Sequence, residues 1–359
     1  MGWIGIADRN GAIFDAGGLG KEARGGAQGT TLPRGTLMLE TSLSADKKPQ
    51  TLLEFHRRGA GPGSFSLQML PGGSIVLIDR DGDDIRHATL AHDPNSRTDK
   101  IRLSYCWDIP GNRAQLTLEQ PETDRMRTIA FAPPQAIAMT DLRAMIMEST
   151  QRDLHAEVDF LAISSEVEPV GPMPGLTGSI QVATPNGPAY ADRLRRGDLV
   201  ETATGEQVPV LHTVRRTVPA RGSFCPVLIR APYFGLVRDI VVAPQQRLVM
   251  SGSEVEYMFG KEAVLIPARH LVNGVSTFFA DSPDLVTYHH ILLPGHEEIL
   301  AAGCPVESLY IGRLRRKPEA LAASVLAGID RFQLPEHPKP IWPVLKPFEA
   351  ITLAMHRAA

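Results

Sequence analysis

The stretch Gly175-Leu-Thr-Gly-Ser-Ile-Gln-Val-Ala-Thr-Pro-Asn-Gly187 opens the second half of the chain and decides how that half folds. Ile180 and Val182 alternate with polar residues, which is typical of a half-buried β-strand. The Asn-Gly pair that follows is a strong turn signal, because both residues tolerate positive φ. The stretch therefore predicts a strand that ends in a tight turn.

A second segment, Leu194-Arg-Arg-Gly-Asp-Leu-Val200, predicts a turn that leads into another strand. Together the two segments resemble the opening of a Hint domain, the fold shared by inteins and the self-cleaving half of hedgehog proteins. The bacterial branch of that family reads Cys-Phe-x-x-Gly-Thr-x-Ile-x-Thr-Pro-x-Gly, followed by Leu-x-x-Gly-Asp-x-Val. Without gaps, the matching positions in this chain are Thr184, Pro185, Gly187, Leu194, Gly197, Asp198 and Val200.

The resemblance implies chemistry at the peptide bond between Pro174 and Gly175. In the family a cysteine or serine attacks the preceding carbonyl carbon, and the amide becomes a thioester or an ester. The histidine of a Thr-x-x-His block donates a proton to the scissile nitrogen, because its pKa lies near neutrality. Here Gly175 stands at the nucleophile position, Ala243 at the hydroxyl position and Gln246 at the histidine position. Glutamine donates hydrogen bonds but cannot exchange a proton at neutral pH.

Thr177 is the nearest residue that could replace the missing nucleophile. A shift of two residues keeps the alternation of Ile180 and Val182, whereas a shift of one would reverse the faces of the strand. Threonine is a weak nucleophile without a base, and Gln246 cannot act as one. We therefore interpret Thr177 as a hydrogen-bonding residue of the turn.

A later block, Tyr288-His-His-Ile-Leu-Leu-Pro-Gly-His-Glu297, also resembles the family and retains His290 and His296. These histidines could complete a proton-transfer site or, with Glu298, bind a metal. Their spacing fits no standard zinc pattern, so we predict packing histidines and no metal or cofactor. The role of His289 stays open on sequence alone.

The N-terminal half predicts an antiparallel β-sandwich, because short alternating segments are separated by turn residues such as Pro71–Gly73, Asp81–Gly82 and Asp93–Asn95. The predicted strands are Thr36–Leu43, Thr51–His56, Ser64–Leu70, Ser74–Asp79, Ile85–Ala91, Lys100–Trp107, Ala114–Leu118, Arg127–Phe131 and Val158–Ser164. Their order looks like a laminin-G or concanavalin-type sandwich. The predicted fold class is therefore all-β, an antiparallel sandwich followed by a Hint-type β fold, with few short helices such as Leu142–Met147.

Composition shifts divide the chain into five predicted segments. They are a glycine-rich N-terminal segment (1–34) with at most one strand at Trp3–Ile6, the sandwich (35–165), a proline-rich linker (166–174), the Hint-like domain (175–312) and a C-terminal tail (313–359). In the Hint-like domain, Val208–His212 and Phe224–Ile229 are two of the predicted strands. In the tail, Pro318–Ile329 and Phe348–Met355 are predicted helices.

The chain has 359 residues, a net charge of -3 and three widely spaced cysteines. This charge gives no electrostatic case for nucleic acid or an anionic membrane, and no apolar run has membrane-spanning length. An odd number of cysteines with no metal spacing favours a reducing, cytoplasmic setting.

We predict a Hint domain protein of the bacterial type that has lost self-cleavage and acts as a binding or structural module, rather than an enzyme. Its partner would be a protein or a carbohydrate. One alternative is an autoprocessing protein that cleaves between Pro174 and Gly175. Another is a protein that binds carbohydrate or peptide through the N-terminal sandwich, which rests on fold analogy alone.

Overall fold

A computed structural model describes residues 2–20, 31–42, 48–58, 62–92, 100–123, 125–281 and 283–358. The described chain forms two compact units. The first comprises Met1–Pro169 and Arg221–Ser223, and the second comprises Val170–Ala220 and Phe224–Ala359. Both are built mainly of antiparallel strands, which confirms the predicted all-β class.

The first unit is a sandwich of two antiparallel sheets. Its elements are β1 (Trp3–Asp8), β2 (Gly11–Phe14), β3 (Thr31–Leu32), β4 (Arg34–Ser42), β5 (Gln50–Arg58), β6 (Pro62–Met69), β7 (Ile75–Asp81), β8 (Asp84–Leu90), β9 (Lys100–Asp108), β10 (Arg113–Gln120), β11 (Arg125–Phe131), β12 (Ile137–Ala138), α1 (Met139–Met147), β13 (Arg152–Leu154) and β14 (Val158–Ser164). The larger sheet has the order β11-β10-β9-β4-β14-β1-β2, and the smaller one β13-β5-β6-β7-β8.

Alternating apolar residues from both sheets fill the core of the sandwich, as the sequence pattern predicts. Leu39, Leu103 and Leu116 come from the larger sheet, and Phe55 and Leu77 come from the smaller one. All five are fully or almost fully buried. The predicted strands are confirmed within the described residues, whereas Leu43 and the turn at Asp93–Asn95 lie outside them.

The N-terminal segment was predicted to be mostly loop, and that prediction is wrong for its described part. It contributes β1, β2 and β3, and β1 lies between β14 and β2 in the larger sheet. Trp3, Ile4 and Ile6 are buried, so burial on both faces of the strand outweighs the glycine-rich composition nearby. The strand expected at Trp3–Ile6 is confirmed, and residues 21–30 lie outside the described part.

The second unit contains two six-stranded antiparallel sheets and a two-stranded ribbon. Its elements are β15 (Leu176–Thr177), β16 (Gln181–Val182), β17 (Ala189–Tyr190), β18 (Leu199–Glu201), β19 (Gln207–Pro209), β20 (His212–Pro219), β21 (Val227–Ile229), β22 (Ile240–Val242), β23 (Arg247–Ser251), α2 (Ser253–Phe259), β24 (Ala263–Pro267), β25 (Thr277–Phe279), β26 (Leu285–Leu292), β27 (Glu298–Ala301), β28 (Cys304–Glu307), α3 (Pro318–Ala322) and α4 (Pro347–Ala358). The sheet orders are β20-β26-β15-β22-β21-β25 and β17-β16-β27-β28-β23-β24, and β18 pairs with β19.

The opening turns of this unit form as the sequence predicts. The Gly187 N–H donates to the Thr184 carbonyl at 3.0 Å, and Gly187 has a φ of +94°. The Arg195 N–H donates to Asp198 Oδ2 at 2.8 Å, and Gly197 has a φ of +93°. Each positive φ favours glycine, and each turn leads into a strand.

Two strand predictions in this unit need correction. Residues 208–212 were predicted as one strand, but β19 ends at Pro209 and β20 begins at His212. The backbone changes partners between these strands. The Val210 N–H donates to the Asp198 carbonyl, whereas the Leu211 N–H donates to the Leu292 carbonyl of β26. The strand predicted from Phe224 begins at Val227, because Gly222–Phe224 forms a 3-10 turn.

The predicted tail also differs from the structure. The helix predicted over 318–329 ends at Ala322, because Ser324 accepts the Leu326 N–H and donates to the Leu321 carbonyl. Serine competes in this way with helical backbone bonds. The predicted helix at 348–355 is confirmed as α4, and Ala350 and Leu353 of that helix join the core of the second unit. None of the described helices has both the length and the apolar character needed to cross a bilayer.

Candidate functional site

Gly175 lies immediately before β15, which is the middle of three paired strands. Leu176 is opposite Val242 of β22 on one side and His289 of β26 on the other. The Gly175 carbonyl accepts the Ala243 N–H at 2.8 Å. Pro174 and Gly175 are both buried, so the peptide bond that the resemblance singles out lies inside the second unit.

Ala243 and Gln246 belong to the turn between β22 and β23. The Gln246 N–H donates to the Ala243 carbonyl at 3.0 Å, and the Gln246 carbonyl accepts the Ala268 N–H at 2.8 Å. The structure therefore brings together Gly175, Ala243 and Gln246, the three positions that the sequence aligned with the nucleophile, the hydroxyl residue and the histidine. Their functional equivalence to those family residues stays a prediction.

The Gln246 side chain fills the volume beside Gly175. Its Nε2 donates to the carbonyls of Arg247 and Glu307 at 3.2 and 3.3 Å. Because both partners are acceptors, the amide nitrogen must face them and Oε1 must point the other way. This oxygen is buried without a hydrogen-bond partner. A Cβ atom at position 175 would lie 1.9 Å from Gln246 Oε1, so the present arrangement has room only for glycine.

Thr177 is held by a hydrogen bond of its own. Its Oγ1 donates to the Val241 carbonyl at 2.7 Å, and its backbone pairs with Tyr288. The hydroxyl proton is therefore engaged with a main-chain oxygen and does not face a side-chain base. Thr177 lies in strand β15, and its hydroxyl bonds to the neighbouring strand β22 and not within a turn. The interpretation of this side chain as a turn residue is therefore wrong.

His290 lies on β26 opposite Val214 and is almost completely buried. Its Nδ1 accepts the Ile291 N–H at 3.1 Å, which places the ring hydrogen on Nε2. Burial, together with the nearby His296, lowers the pKa of His290 to about 3. His290 is consequently neutral near pH 7.

His296 follows β26 and contacts several polar groups. Its Nδ1 accepts the Ile341 N–H at 2.9 Å. Its Nε2 lies 3.2 Å from Glu307 Oε2, although the orientation does not form a hydrogen bond. Arg247 Nη1 donates to the same carboxylate oxygen at 3.2 Å. The ring also makes an edge contact with Tyr310, with centroids 5.1 Å apart.

The sequence did not indicate the roles of two residues near His296, namely Glu307 and His337. Glu307 belongs to the block Ala302–Ser308 that carries the family resemblance, so its position was signalled although its role was not. His337 comes from the proline-rich tail and had no sequence signal. Its ring centroid lies 5.8 Å from that of His296 and 6.2 Å from that of Tyr310.

His289, whose role the sequence left open, lies in β26 beside β15. Its backbone is opposite Leu176 on one side and Arg215 on the other. Burial lowers the pKa of His289, with Asp192 acting in the opposite direction and Arg215 in the same direction. It is a partly buried strand residue close to the Gly175 segment.

The described residues contain no group of three or more His, Cys, Asp or Glu side chains arranged to hold a metal ion. Glu298, which the sequence suggested as a third ligand beside His290 and His296, instead accepts a hydrogen bond from Trp342 Nε1. Both histidines use Nδ1 to accept a backbone N–H. Their contacts are therefore those of packed, hydrogen-bonded side chains.

Residues 174–313 match the family described as Hint domain, which supports the Hint-type domain that the sequence predicts for this part of the chain. No curated protein matches the chain. Among solved structures, the MchDnaB-1 intein shares 14% identity over 36% of this chain and 98% of its own, with a TM-score of 0.26. The CBM40 of the Ruminococcus gnavus IT-sialidase shares 15% identity over 45% of this chain and 78% of its own, with a TM-score of 0.25. TM-scores of this size carry no argument, and the laminin-G or concanavalin likeness stays a prediction.

Proposed function

We propose that this Hint domain does not cleave its own chain and that the protein acts as a structural or binding module. One observation carries the proposal: the buried amide of Gln246 occupies the volume that a nucleophilic side chain at position 175 would need. The substitution at 246 therefore affects both the proton donor and the space for the nucleophile.

The reaction lacks its reacting groups on both sides of the scissile bond. Gly175 offers no thiol or hydroxyl to attack the Pro174 carbonyl, and Gln246 has no proton to transfer to the Gly175 nitrogen. Loss of one essential member of a catalytic unit costs roughly 10³ or more in rate. Loss of two members with different roles leaves no route to a thioester or ester.

The remaining polar groups do not replace them. The Thr177 hydroxyl donates to the Val241 carbonyl and faces no base. His290 has a pKa of about 3, so it carries no proton to donate from an imidazolium form near pH 7. The hydrogen bond of Thr177 and the lowered pKa of His290 both favour a packing role for these two residues.

A pair of variants tests the proposal. Gly175→Cys with Gln246→His provides a thiol and an imidazole and removes the amide that fills the site. Gly175→Cys alone keeps the steric clash between the new side chain and Gln246 Oε1. We expect no hydroxylamine cleavage at Pro174–Gly175 in the wild type or the single variant. Hydroxylamine also cleaves Asn-Gly bonds, so fragment masses must separate this bond from Asn10–Gly11, Asn186–Gly187 and Asn273–Gly274. Hydroxylamine cleavage of the double variant at Pro174–Gly175 would assign the loss to these two positions. Cleavage of the wild type at that bond would overturn the proposal.

We further propose a protein or a carbohydrate as the partner of this module, in a reducing, cytoplasmic setting in a bacterium. The setting is supported by Cys106, Cys225 and Cys304, which lie in the described part of the chain and form no disulfide. Glycan arrays and protein capture with the full-length chain test the partner. Thiol labelling of the denatured protein directly after cell lysis tests the setting, and a disulfide found there would contradict it.

A further inference from the structure

The segment 335–345, called the strap below, runs along the edge of one sheet in the second unit. β24 is the last strand of that sheet, and all five of its residues are buried. Val344 pairs with Leu265 of β24 in a parallel bridge. The Leu265 N–H donates to the Pro343 carbonyl at 2.8 Å, and the Leu345 N–H donates to the Leu265 carbonyl at 3.0 Å. The strap thereby covers an apolar strand edge, which otherwise would be open to pairing.

Side chains of the strap reinforce this cover. Ile341 and Trp342 pack against a small buried cluster of Val249, Ala263 and Leu265. The Trp342 indole also donates to Glu298. Two histidines also hold the strap.

His337 anchors the strap through three hydrogen bonds. Its N–H donates to the Gly312 carbonyl at 2.9 Å, and its Nδ1 accepts the Ile311 N–H at 3.5 Å. Its Nε2 lies 3.3 Å from the Leu293 carbonyl, so this nitrogen carries the ring hydrogen. The imidazole is therefore neutral. A proton added at Nδ1 would face the Ile311 N–H, so the hydrogen bond between them would be lost.

A second histidine holds the strap in the same way. His296 Nδ1 accepts the Ile341 N–H, so protonation of this nitrogen would also remove an acceptor from the strap. Both anchoring bonds thus need an unprotonated Nδ1.

The charged and titratable groups around His337 do not offer it a carboxylate partner. His296 and Tyr310 face its ring. The adjacent Glu336 is bound by Arg315 and Arg316.

The Glu307 carboxylate lies close to both His296 and Arg247. The buried imidazole of His290 is also near His296. Burial lowers the pKa of His337 to about 4, and His296 acts in the same direction, while bonds to the carbonyls of Leu293 and Pro294 oppose it.

We propose that residues 335–345 are an acid-released strap, in which protonation of His337 detaches the segment from the edge of β24. When the strap opens, His337 reaches water and regains an ordinary pKa near 6.5. The open form then binds a proton more readily than the closed form at every pH between that value and about 4. Lowering the pH through this window therefore favours opening by about tenfold per pH unit. The released strand edge is apolar and unpaired.

Hydrogen exchange of the full-length protein tests the proposal. The reporters are the amides of Ile341, Leu345 and Leu265, each bonded across the strap. After correction for intrinsic exchange, their protection is expected to fall about tenfold per pH unit from pH 6.5 to 4.5. Amides of the β21–β22 ladder, such as Leu228, are the internal control for global unfolding. The strap amides are expected to be less protected than these at every pH in the window, because they exchange by local opening.

Two variants separate the histidine from other acid effects. His337→Asn keeps an acceptor near the Nδ1 position but cannot be protonated, so its reporters are expected to have a smaller pH dependence than the wild type. The part that remains is assigned to His296, which accepts the Ile341 N–H. His56→Asn changes an exposed histidine of β5 and leaves the wild-type profile unchanged. If the strap of His337→Asn is already open at pH 7.5, this variant cannot be compared with the wild type. The pH dependence of protection in the wild type then tests the proposal by itself. Constant wild-type protection, the same slope in a closed His337→Asn, or strap amides no less protected than the β21–β22 amides would overturn the proposal.

Discussion

At the residue scale, Gly175 and Gln246 act as a pair. The amide nitrogen of Gln246 is fixed by two carbonyl acceptors, and its oxygen is directed at the place where a side chain at 175 would begin. The buried oxygen has no hydrogen-bond partner, which is a cost that well-packed sites normally avoid. The packing at this position therefore depends on the glycine.

Gly175→Ala tests this packing. The added Cβ would meet Gln246 Oε1 at 1.9 Å, so we expect a loss of about 1–3 kcal/mol in the free energy of unfolding. Gly295→Ala is the matched control. Its Cβ would meet Glu297 Oε1 at 2.1 Å, but that flexible carboxylate can rotate away.

Urea unfolding of Gly175→Ala, Gln246→Ala and the double variant measures the coupling between the two positions. The double variant is expected to lose less than the sum of the single variants. An additive result, or a Gly175→Ala variant as stable as Gly295→Ala, would show that the Gln246 side chain does not restrict position 175.

Tyr288→Phe tests a buried hydrogen bond next to this pair. The Tyr288 hydroxyl donates to the Phe224 carbonyl at 2.9 Å, and Tyr288 is completely buried. Its removal breaks a buried hydrogen bond, so we expect a loss of about 0.5–1.5 kcal/mol in unfolding free energy. Tyr257→Phe, at a side chain that is 92% exposed, should change stability by less than about 0.5 kcal/mol. Equal effects of the two variants in thermal or urea unfolding would contradict this assignment.

The identity of the site residues could be predicted from the sequence, but their contacts could not. The gap-free alignment of the opening block located Gly175, and a separate block that resembles Thr-x-x-His located Ala243 and Gln246. The contact between Gln246 and the space at Gly175 depends on how β15, β22 and β26 pair. His337 was missed because its partners come from distant strands, and a proline-rich tail has no periodic pattern that reveals them.

At the element scale, a buried charge network links three adjacent strands of the larger sheet. Arg102 of β9 lies 3.8 Å from Glu40 Oε2 of β4 and 3.1 Å from Glu119 Oε2 of β10. All three side chains are almost fully buried. Burial raises the pKa of Glu40, and Arg102 and Ser223 act in the opposite direction. The arginine is thus the cation that allows two carboxylates to lie in one interior.

Arg102→Met removes that cation and leaves two buried carboxylates facing each other. We expect a loss of about 3–5 kcal/mol in the free energy of unfolding, because breaking a buried pair leaves an uncompensated charge. Arg113→Met on β10 removes an arginine whose side chain is 75% exposed and should cost less than about 1 kcal/mol. Denaturant titration measures the free energy of unfolding of both variants. If Arg102→Met loses no more than Arg113→Met, the expectation is wrong.

Strand prediction succeeded where alternation was strong and failed where pairing was short. β5, β6, β7 and β9 have long alternating patterns, and the sequence located each of them within a few residues. By contrast, the sequence did not predict β27 and β28. Cys304 is buried in β28, and burial raises its pKa to about 12. Such short strands are stabilised by the neighbouring strands rather than by their own pattern.

At the scale of the whole molecule, the buried histidines of the second unit make stability depend on pH. His290 and His337 have pKa values lowered to about 3 and about 4, mainly by burial. In the unfolded chain both would titrate near 6.5. The unfolded state thus binds protons first as the pH falls, and the folded state loses stability between about 6.5 and 4.

Urea unfolding at pH 7.5, 6 and 5 measures this dependence. Each of the two histidines is expected to contribute up to about 1.4 kcal/mol per pH unit below 6.5. His290→Gln should have a smaller slope than the wild type. Stability that is constant or rises from pH 6.5 to 5 would show that these histidines do not control the acid response.

The central claim is that the Hint domain leaves its own chain intact, and the mass of the purified protein tests it most directly. Full-length protein should be measured by intact mass spectrometry after expression, and again after prolonged incubation with a thiol at neutral pH. We predict one species of 39.0 kDa in both samples. Two fragments that meet between Pro174 and Gly175 would contradict the account.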